Sequence, residues 1–211
     1  MTAAYYESLA PWYRLMYADW DASVARQARA LDQVIRTRAG AAARRVLDAA
    51  CGIGTQALGL AALGYEVTAL DLSPALVARA RAEAARRGLE AKFGVCDMRA
   101  VGAGRAGRFD AVIACDNAVP HLADEGDIFG AFRQFHACLV PGGCAAVSVR
   151  DYAAIERVGT RINPRLVHEG EGATTALFDV WRFDADRYEF TTYVVEESGA
   201  EVRAHAIRGG R

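Results

Sequence analysis

The run Val46-Leu47-Asp48-Ala49, continued by Ala50-Cys51-Gly52-Ile53-Gly54-Thr55, constrains this chain more than any other stretch. Its first half reads as a short buried parallel strand and its second as a tight turn feeding a helix. Gly52 and Gly54 let the backbone pass close to a ligand with no Cβ in the way. Asp71 stands nineteen residues after Gly52, at the tip of the next apolar run, where a ribose would lie in a nucleotide-binding crossover unit. A strand, a glycine turn and a distant acid together imply a nucleoside-containing ligand.

The spacing Gly52-x-Gly54-x-x-Ala57, with Asp71 beyond it, also satisfies the dinucleotide fingerprint. Asp48 separates the two readings. It closes strand one beside the place a pyrophosphate would occupy, and a carboxylate there repels phosphate. S-adenosylmethionine has no phosphate and carries an ammonium and a sulfonium, which a carboxylate attracts. The residues therefore favour S-adenosylmethionine, with NAD(P) as the competing cofactor and a plain turn as the reading without any ligand.

The alternation of apolar and amphipathic segments continues to residue 150. Ser23 to Arg38 places Val24, Ala28, Leu31 and Ile35 on one helical face, capped by Asp21 or Ser23. A helix from Thr55 ends near Gly64, and strand two spans Glu66 to Leu70. Ser73-Pro74 opens a helix that stops at Gly88, and strand three runs from Ala91 to Val95. Strand four covers Phe109 to Cys115, a helix covers Glu125 to Leu139, and Pro141-Gly142-Gly143 turns into strand five, Cys144 to Arg150. His121, Phe129, Phe132 and Phe135 read as the packing face of that last helix.

Strands alternating with helices predict an α/β fold. The expected core is a Rossmann-like parallel sheet of order 3-2-1-4-5 with helices on both faces. Asp48, Asp71, Asp97, Asn117 and Arg150 then fall together at the carboxyl ends of the strands, where such sheets bind ligands. After Arg150 the pattern changes to three β-rich runs, Ala176 to Phe183, Tyr188 to Glu196 and Glu201 to Ile207. The short turns Asp184-Ala185-Asp186 and Ser198-Gly199-Ala200 join them as antiparallel hairpins, an appended three-stranded segment. The expected division is an aromatic arm and helix over 1–44, a cofactor-binding core over 45–150, and an appended sheet over 151–211.

Composition narrows the partners. A formal charge of -1 gives no electrostatic pull toward nucleic acid. Five cysteines form no CxxC pair and four histidines no ligand cluster, so no metal is expected, and the free thiols fit a reducing cytoplasm. No apolar run approaches the ~18 residues of a membrane span, and no secretory start is apparent.

The chain resembles the class I S-adenosylmethionine-dependent methyltransferases through Asp48-x-Ala-Cys-Gly-x-Gly, Asp71 and Pro141-Gly142-Gly143. More narrowly it is similar to the glycine and sarcosine N-methyltransferases. That likeness rests on Asn117-Ala-Val-Pro-His121-Leu122, Val149-Arg150-Asp151-Tyr152 and Pro164-Arg165-Leu166-Val167-His168. Phe178-x-Val-Trp181-x-Phe and Val202-Arg203-x-His205 extend it.

The resemblance implies a donor, S-adenosylmethionine, a product, S-adenosylhomocysteine, and a small-molecule amine or amino acid as acceptor. It assigns Ala50, Gly52 and Gly54 to the amino-acid portion of the cofactor and Asp71 to both ribose hydroxyls, with Asp48 and Leu72 also among the cofactor-binding residues. Asp97 and Met98 fall to the adenine, and the backbone at Cys115 to the methionine end. Asn117 and Arg150 would hold the acceptor, and Tyr17, with Tyr6 or Tyr13, would close over the reacting methyl.

Two features depart from the family. Its members continue past the Val202–Ile207 strand with a helix and two strands, so a C-terminally shortened chain with strand five as an open edge is expected. Ala118-Val119 stands where small polar and bulky residues are expected, which reshapes the acceptor pocket. Methylation of another natural-product hydroxyl or amine, or an inactive cofactor-binding remnant, are the alternatives. The aromatic N-terminus suits packing on a neighbouring subunit as well as on its own site, which leaves a homo-oligomer open.

Overall fold

The structure, a computed structural model, describes residues 3–170, 172–184 and 187–210. The helices are α1 (Ala3–Leu9), α2 (Trp20–Ala39), α3 (Thr55–Ala62), α4 (Pro74–Arg86) and α5 (Glu125–Cys138). The first five strands are β1 (Arg45–Asp48), β2 (Glu66–Asp71), β3 (Lys92–Val95), β4 (Phe109–Ala114) and β5 (Leu139–Val147). Four longer ones follow, β6 (Thr160–Gly170), β7 (Ala173–Asp184), β8 (Arg187–Ser198) and β9 (Glu201–Gly210). Residues 19–150 form one compact unit; residues 1–18 and 151–211 form the other.

The 19–150 unit is the expected parallel sheet, in the order β3-β2-β1-β4-β5. Side chains alternate across a strand, so a sheet inside crossovers must be apolar on both faces. Val46, Val67, Ala69, Ala111 and Ile113 pack with Ile35 of α2 and Ala57 and Leu60 of α3. Their neighbours Leu47, Leu70, Val112 and Ala114 pack on the other face with Ala131, Phe135 and Cys138 of α5. Among the described residues β5 is the last strand of this sheet on its side.

Helix α2, strand β5 and the packing face of α5 differ from expectation. Helix α2 starts at Trp20, capped by Asp19, whose carboxylate accepts the Ala22 N–H at 2.9 Å. The early start is fixed by tertiary contacts of Trp20. Its indole N–H donates to Thr55 Oγ1 at 2.9 Å, and the Arg87 guanidinium lies 4.8 Å above its ring. Strand β5 begins at Leu139 and encloses Pro141-Gly142-Gly143. Pairing jumps from Phe109–Leu139 to Ala111–Cys144, so the expected turn survives as a bulge with Gly142 at φ 80°. On α5 only Phe135 of the three phenylalanines is buried; Phe129 and Phe132 are 66% and 41% exposed.

The other unit is an antiparallel sheet of four strands, β6-β7-β8-β9, one more than expected. Pro164 hides β6 in the sequence. On an edge strand, at the register shift between Pro164 and Leu166, the missing N–H costs no ladder bond. Gly199, at φ 60°, makes the β8–β9 turn; Ala185 and Asp186 of the expected β7–β8 turn lie outside the described residues.

One sheet face packs against the N-terminal segment through Tyr5, Leu9, Trp181, Phe190 and Ile207, with Tyr6, Trp12 and Tyr13 around them. Beneath lies a buried polar chain. Arg165 pairs with Asp179 at 2.6 Å, and Thr192 donates to Asp179 at 2.7 Å. Thr192 has one hydrogen to give, so Tyr5 donates to it at 2.8 Å. Burial pushes the Tyr5 phenol up to about 12, which keeps it a donor. No helix among the described residues is long and apolar enough to cross a membrane.

Helix α3 packs on α2 at Gly59, where an added Cβ would stand 2.6 Å from Ala28 Cβ and 2.7 Å from Val24 O. Helix propensity alone makes Gly→Ala favourable by about 0.5–1 kcal/mol, whereas overpacking costs about 1–3 kcal/mol. Overpacking wins here because one obstacle is backbone. Gly59→Ala is expected to destabilise the protein in a denaturant titration, and a variant as stable as the wild type would refute the packing argument.

Candidate active site

The carboxyl ends of the parallel strands carry the site on short loops. After β1 the chain stays pinned in the sheet: Ala49 N–H donates to Ile113 O at 2.8 Å and Cys51 N–H to Leu70 O at 2.9 Å. It then turns at Gly52, φ 53°, and at Gly54, φ 91°, which starts α3. A Cβ on Gly54 would lie 3.1 Å from Leu58 Cγ and 3.2 Å from Ala80 Cβ. Glycine at this position therefore serves backbone direction and the packing of α3 on α4.

Asp71, at the end of β2, is 9% exposed and holds the loop. Its Oδ2 accepts the Gly52 N–H at 2.7 Å and its Oδ1 the Ser73 N–H at 2.9 Å. Two of the roughly four acceptor positions of the carboxylate are thus committed to the backbone. Ser73 in turn caps α4 by accepting the Leu76 N–H at 3.2 Å. Leu72 between them is 39% exposed.

Asp48, at the end of β1, is 1% exposed. Its Oδ1 accepts the Ala50 N–H at 3.3 Å, but Oδ2 has no hydrogen-bond partner among the described residues. Burial pushes this carboxyl up to about 8; the Ala50 N–H acts against that, and repulsion from Asp71 and Asp116 adds to it. Burial raises the neighbouring thiols as well, Cys115 to about 12 and Cys51 well above its ordinary value. Neither is a thiolate nucleophile at neutral pH.

After β4, Asp116 and Asn117 take positive φ values, 52° and 69°. Two consecutive non-glycine residues in this region store strain of about 1–3 kcal/mol each, and such strain concentrates at functional sites. The chain leaving β5 enforces it. Ser148 accepts the Asp116 N–H at 2.9 Å and the Asn117 N–H at 3.1 Å, and Asn117 Oδ1 accepts the Arg150 N–H at 3.0 Å. Asn117 and Arg150 are thus brought together, with the amide oxygen of Asn117 engaged on the backbone of Arg150.

Asp97 caps the turn after β3 and is gripped by Arg99 at 2.6 Å, which also reaches Asp127 at 2.9 Å. The Arg99 guanidinium holds the Asp97 carboxyl below its ordinary value. Met98 packs on the core beneath α5. Tyr17 lies in the other unit, half-buried, with its N–H on Arg14 O at 3.2 Å.

Two polar groups at this edge escape sequence reading. Asp116 is one. Gln27 of α2 is the other: its amide N–H donates to Asp116 at 3.4 Å and its oxygen accepts from Gln56 at 2.6 Å. The acid in every strand-end loop was a signal for Asp116; nothing on the surface of a polar helix marks Gln27.

Asp48, Asp71 and Asp116 make this edge carboxylate-rich, and the orphaned Oδ2 of Asp48 is a buried acceptor suited to a cation. A pyrophosphate is disfavoured there, and a ligand bearing ammonium and sulfonium fits. Residues 46–143 match the methyltransferase domain family. This unit is a class I S-adenosylmethionine-dependent methyltransferase domain. Its cofactor is S-adenosylmethionine, and NAD(P) is set aside.

The chain is 29% identical over 156 residues to the glycine/sarcosine N-methyltransferase of Halorhodospira halochloris, covering 74% of this chain and 57% of that protein. It is 33% identical over 142 residues to the ubiquinone biosynthesis O-methyltransferase of Xanthomonas axonopodis pv. citri (strain 306), covering 65% and 58%. It also superposes on the sugar N-methyltransferase KedS8 from Streptoalloteichus sp ATCC 53650 with a TM-score of 0.74 at 25% identity, covering 95% of this chain and 76% of that one. The chain spans a little over half the length of those two curated relatives.

An ionised Asp48 leaves Oδ2 without a hydrogen-bond partner among the described residues, and its carboxyl is raised in the folded state. A raised carboxyl favours folding at low pH and loses that contribution as pH climbs toward about 8. Asp48→Asn should therefore stabilise the ligand-free protein by about 1–3 kcal/mol at pH 8, with a smaller gain at pH 5, read by thermal melting at both. An equal or reversed effect would show that Oδ2 is satisfied.

Proposed function

We propose that the chain moves a methyl group from S-adenosylmethionine to the nitrogen of a small amino acid, with glycine and sarcosine as the leading acceptors. The observation that carries this reading is the Asn117–Arg150 tie of 3.0 Å, which fixes the backbone of an exposed arginine against the loop after β4, at the carboxyl edge of the sheet. The likeness to a glycine/sarcosine N-methyltransferase supports it.

On this reading Asp71 meets the ribose hydroxyls while it holds the loop. Leu72, Asp97 and Met98 flank the adenine. Ala50, Gly52, Gly54 and the backbone at Cys115 line the amino-acid portion. Asn117 acts by positioning Arg150 more than by touching the acceptor.

The cofactor supplies a methyl group already activated on sulfur. The protein's share is to align a neutral nitrogen and exclude water, for which proximity is worth on the order of 7–11 kcal/mol. The planar fork of Arg150 matches both oxygens of a carboxylate. A charged bond of this kind contributes about 1.5–3 kcal/mol.

Release of S-adenosylhomocysteine is to be measured with glycine, sarcosine and dimethylglycine, and with ethylamine and ethanolamine, which lack the carboxylate. Turnover confined to amino acids is expected. Arg150→Ala should then raise the acceptor KM by roughly 10- to 100-fold while leaving cofactor affinity unchanged. Turnover of the amines with equal efficiency would sink the amino-acid reading. It would favour a hydroxyl or sugar amine, the acceptor types in the names of the two other relatives.

A further inference from the structure

The turn after β4 is strained at Asp116 and Asn117, and such strain persists only where the surroundings over-determine it. Ser148 holds its backbone, and the Asn117 side chain is held by the Arg150 N–H. The Asp116 side chain is held from a third direction. Gln27, half-buried on α2, donates from its amide to Asp116 Oδ2 at 3.4 Å. The oxygen of the same amide accepts from Gln56 at 2.6 Å. Gln56 is the second residue of α3, two beyond Gly54, and is 3% exposed.

Three side chains from three elements therefore form one string with a fixed direction. An ionised carboxylate only accepts, so Gln27 must turn its NH2 toward Asp116 and its oxygen toward Gln56. Gln56 is then the donor to Gln27. Helix α2 is a firm post for this string. Its Trp20 is tied to Thr55 at the start of α3, and Gly59 lets α3 pack closely on Val24 and Ala28.

We propose that Gln27 is a positioning residue for the acceptor. It ties Asp116 to the helix that leaves the glycine loop, and so keeps the turn that holds Arg150 in register with that loop. The inference rests on the reading of Arg150 as the anchor of the acceptor. It adds a residue of α2 that acts through Asp116.

Reversing the direction of the string tests it. Gln27→Glu keeps the shape of the side chain and can still accept from Gln56, but it sets a second carboxylate against Asp116. In Asp116→Asn the amide oxygen can still accept from Gln27, so that change alone should be mild. Combined, the two exchanges restore the link with the donor on the loop and the acceptor on α2. Gln27→Met drops the donor without adding a charge.

The wild type and these four variants are to be compared by S-adenosylmethionine affinity, by kcat and KM for glycine and sarcosine, and by thermal melting. Gln27→Glu should raise the acceptor KM roughly 2- to 30-fold, with cofactor affinity changed much less. Gln27→Met should move KM the same way by a smaller factor, and the combined variant should recover most of the loss. An unchanged KM in both Gln27 variants, even with a lowered melting temperature, would overturn the positioning role and leave that of Arg150 standing. A combined variant no better than Gln27→Glu would do the same. Cofactor binding by the wild type without turnover of either acceptor would overturn the amino-acid reading itself, and this role with it.

Discussion

The carboxylate of Asp71 fixes the geometry on which the rest of the site depends. It accepts the Gly52 N–H from the loop after β1 and the Ser73 N–H from the turn after β2, so one side chain joins the outlets of two neighbouring strands. Charge-assisted bonds of this kind contribute about 1.5–3 kcal/mol each. From Gly52 the chain reaches Gly54 and α3, and Ser73 starts α4, so both helices take their direction from this clamp. The packing of Gly54 against Leu58 and Ala80 closes the arrangement from the other side. An acid suited to a ribose is thus also a structural member. Its removal would disturb the loop whatever it does to a ligand, which is why Asp48 and Arg150 are the cleaner probes.

The parallel half of the fold is legible in the sequence because its signals are local. Each strand is a short apolar run bounded by a turn, and each is followed by a polar residue at the edge where parallel sheets bind ligands. The antiparallel half is less legible. β6 is masked by Pro164, whose tolerance depends on an edge position that only the pairing reveals. The N-terminal aromatics suggest cover for a reacting methyl. Tyr5, Tyr6, Trp12 and Tyr13 pack together against β7, β8 and β9, and Trp12 donates to Glu196 at 3.1 Å. Their partners lie far away in the sequence, at a separation no periodicity encodes.

The candidate site shows the same division. Asp48, Asp71, Asn117 and Arg150 stand at strand ends, a position a pattern can predict. What Asn117 does could not be read, since its amide oxygen is used on the backbone of Arg150. Gln27 and Asp116 matter through a helix and a loop that meet only in the folded chain.

Two aspartates of the same sheet show how position separates structure from function. Asp110, near the amino end of β4, receives the backbone N–H groups of Arg44 and Arg45 at 2.9 and 2.8 Å and the Arg45 guanidinium at 2.7 Å. That guanidinium, with the N–H groups, holds its carboxyl down at about 2. Asp48, at the carboxyl end of the adjacent strand, receives a single long N–H bond and is driven to about 8. The chain had the means to satisfy Asp48 as it satisfied Asp110, with arginine abundant throughout. A carboxylate left short of donors beside two others destabilises the empty fold, and that deficit becomes binding energy for whatever cation completes it. The carboxyl edge is therefore preorganised for a positively charged ligand by what it leaves unmade, and the amino edge is stabilised by what it completes.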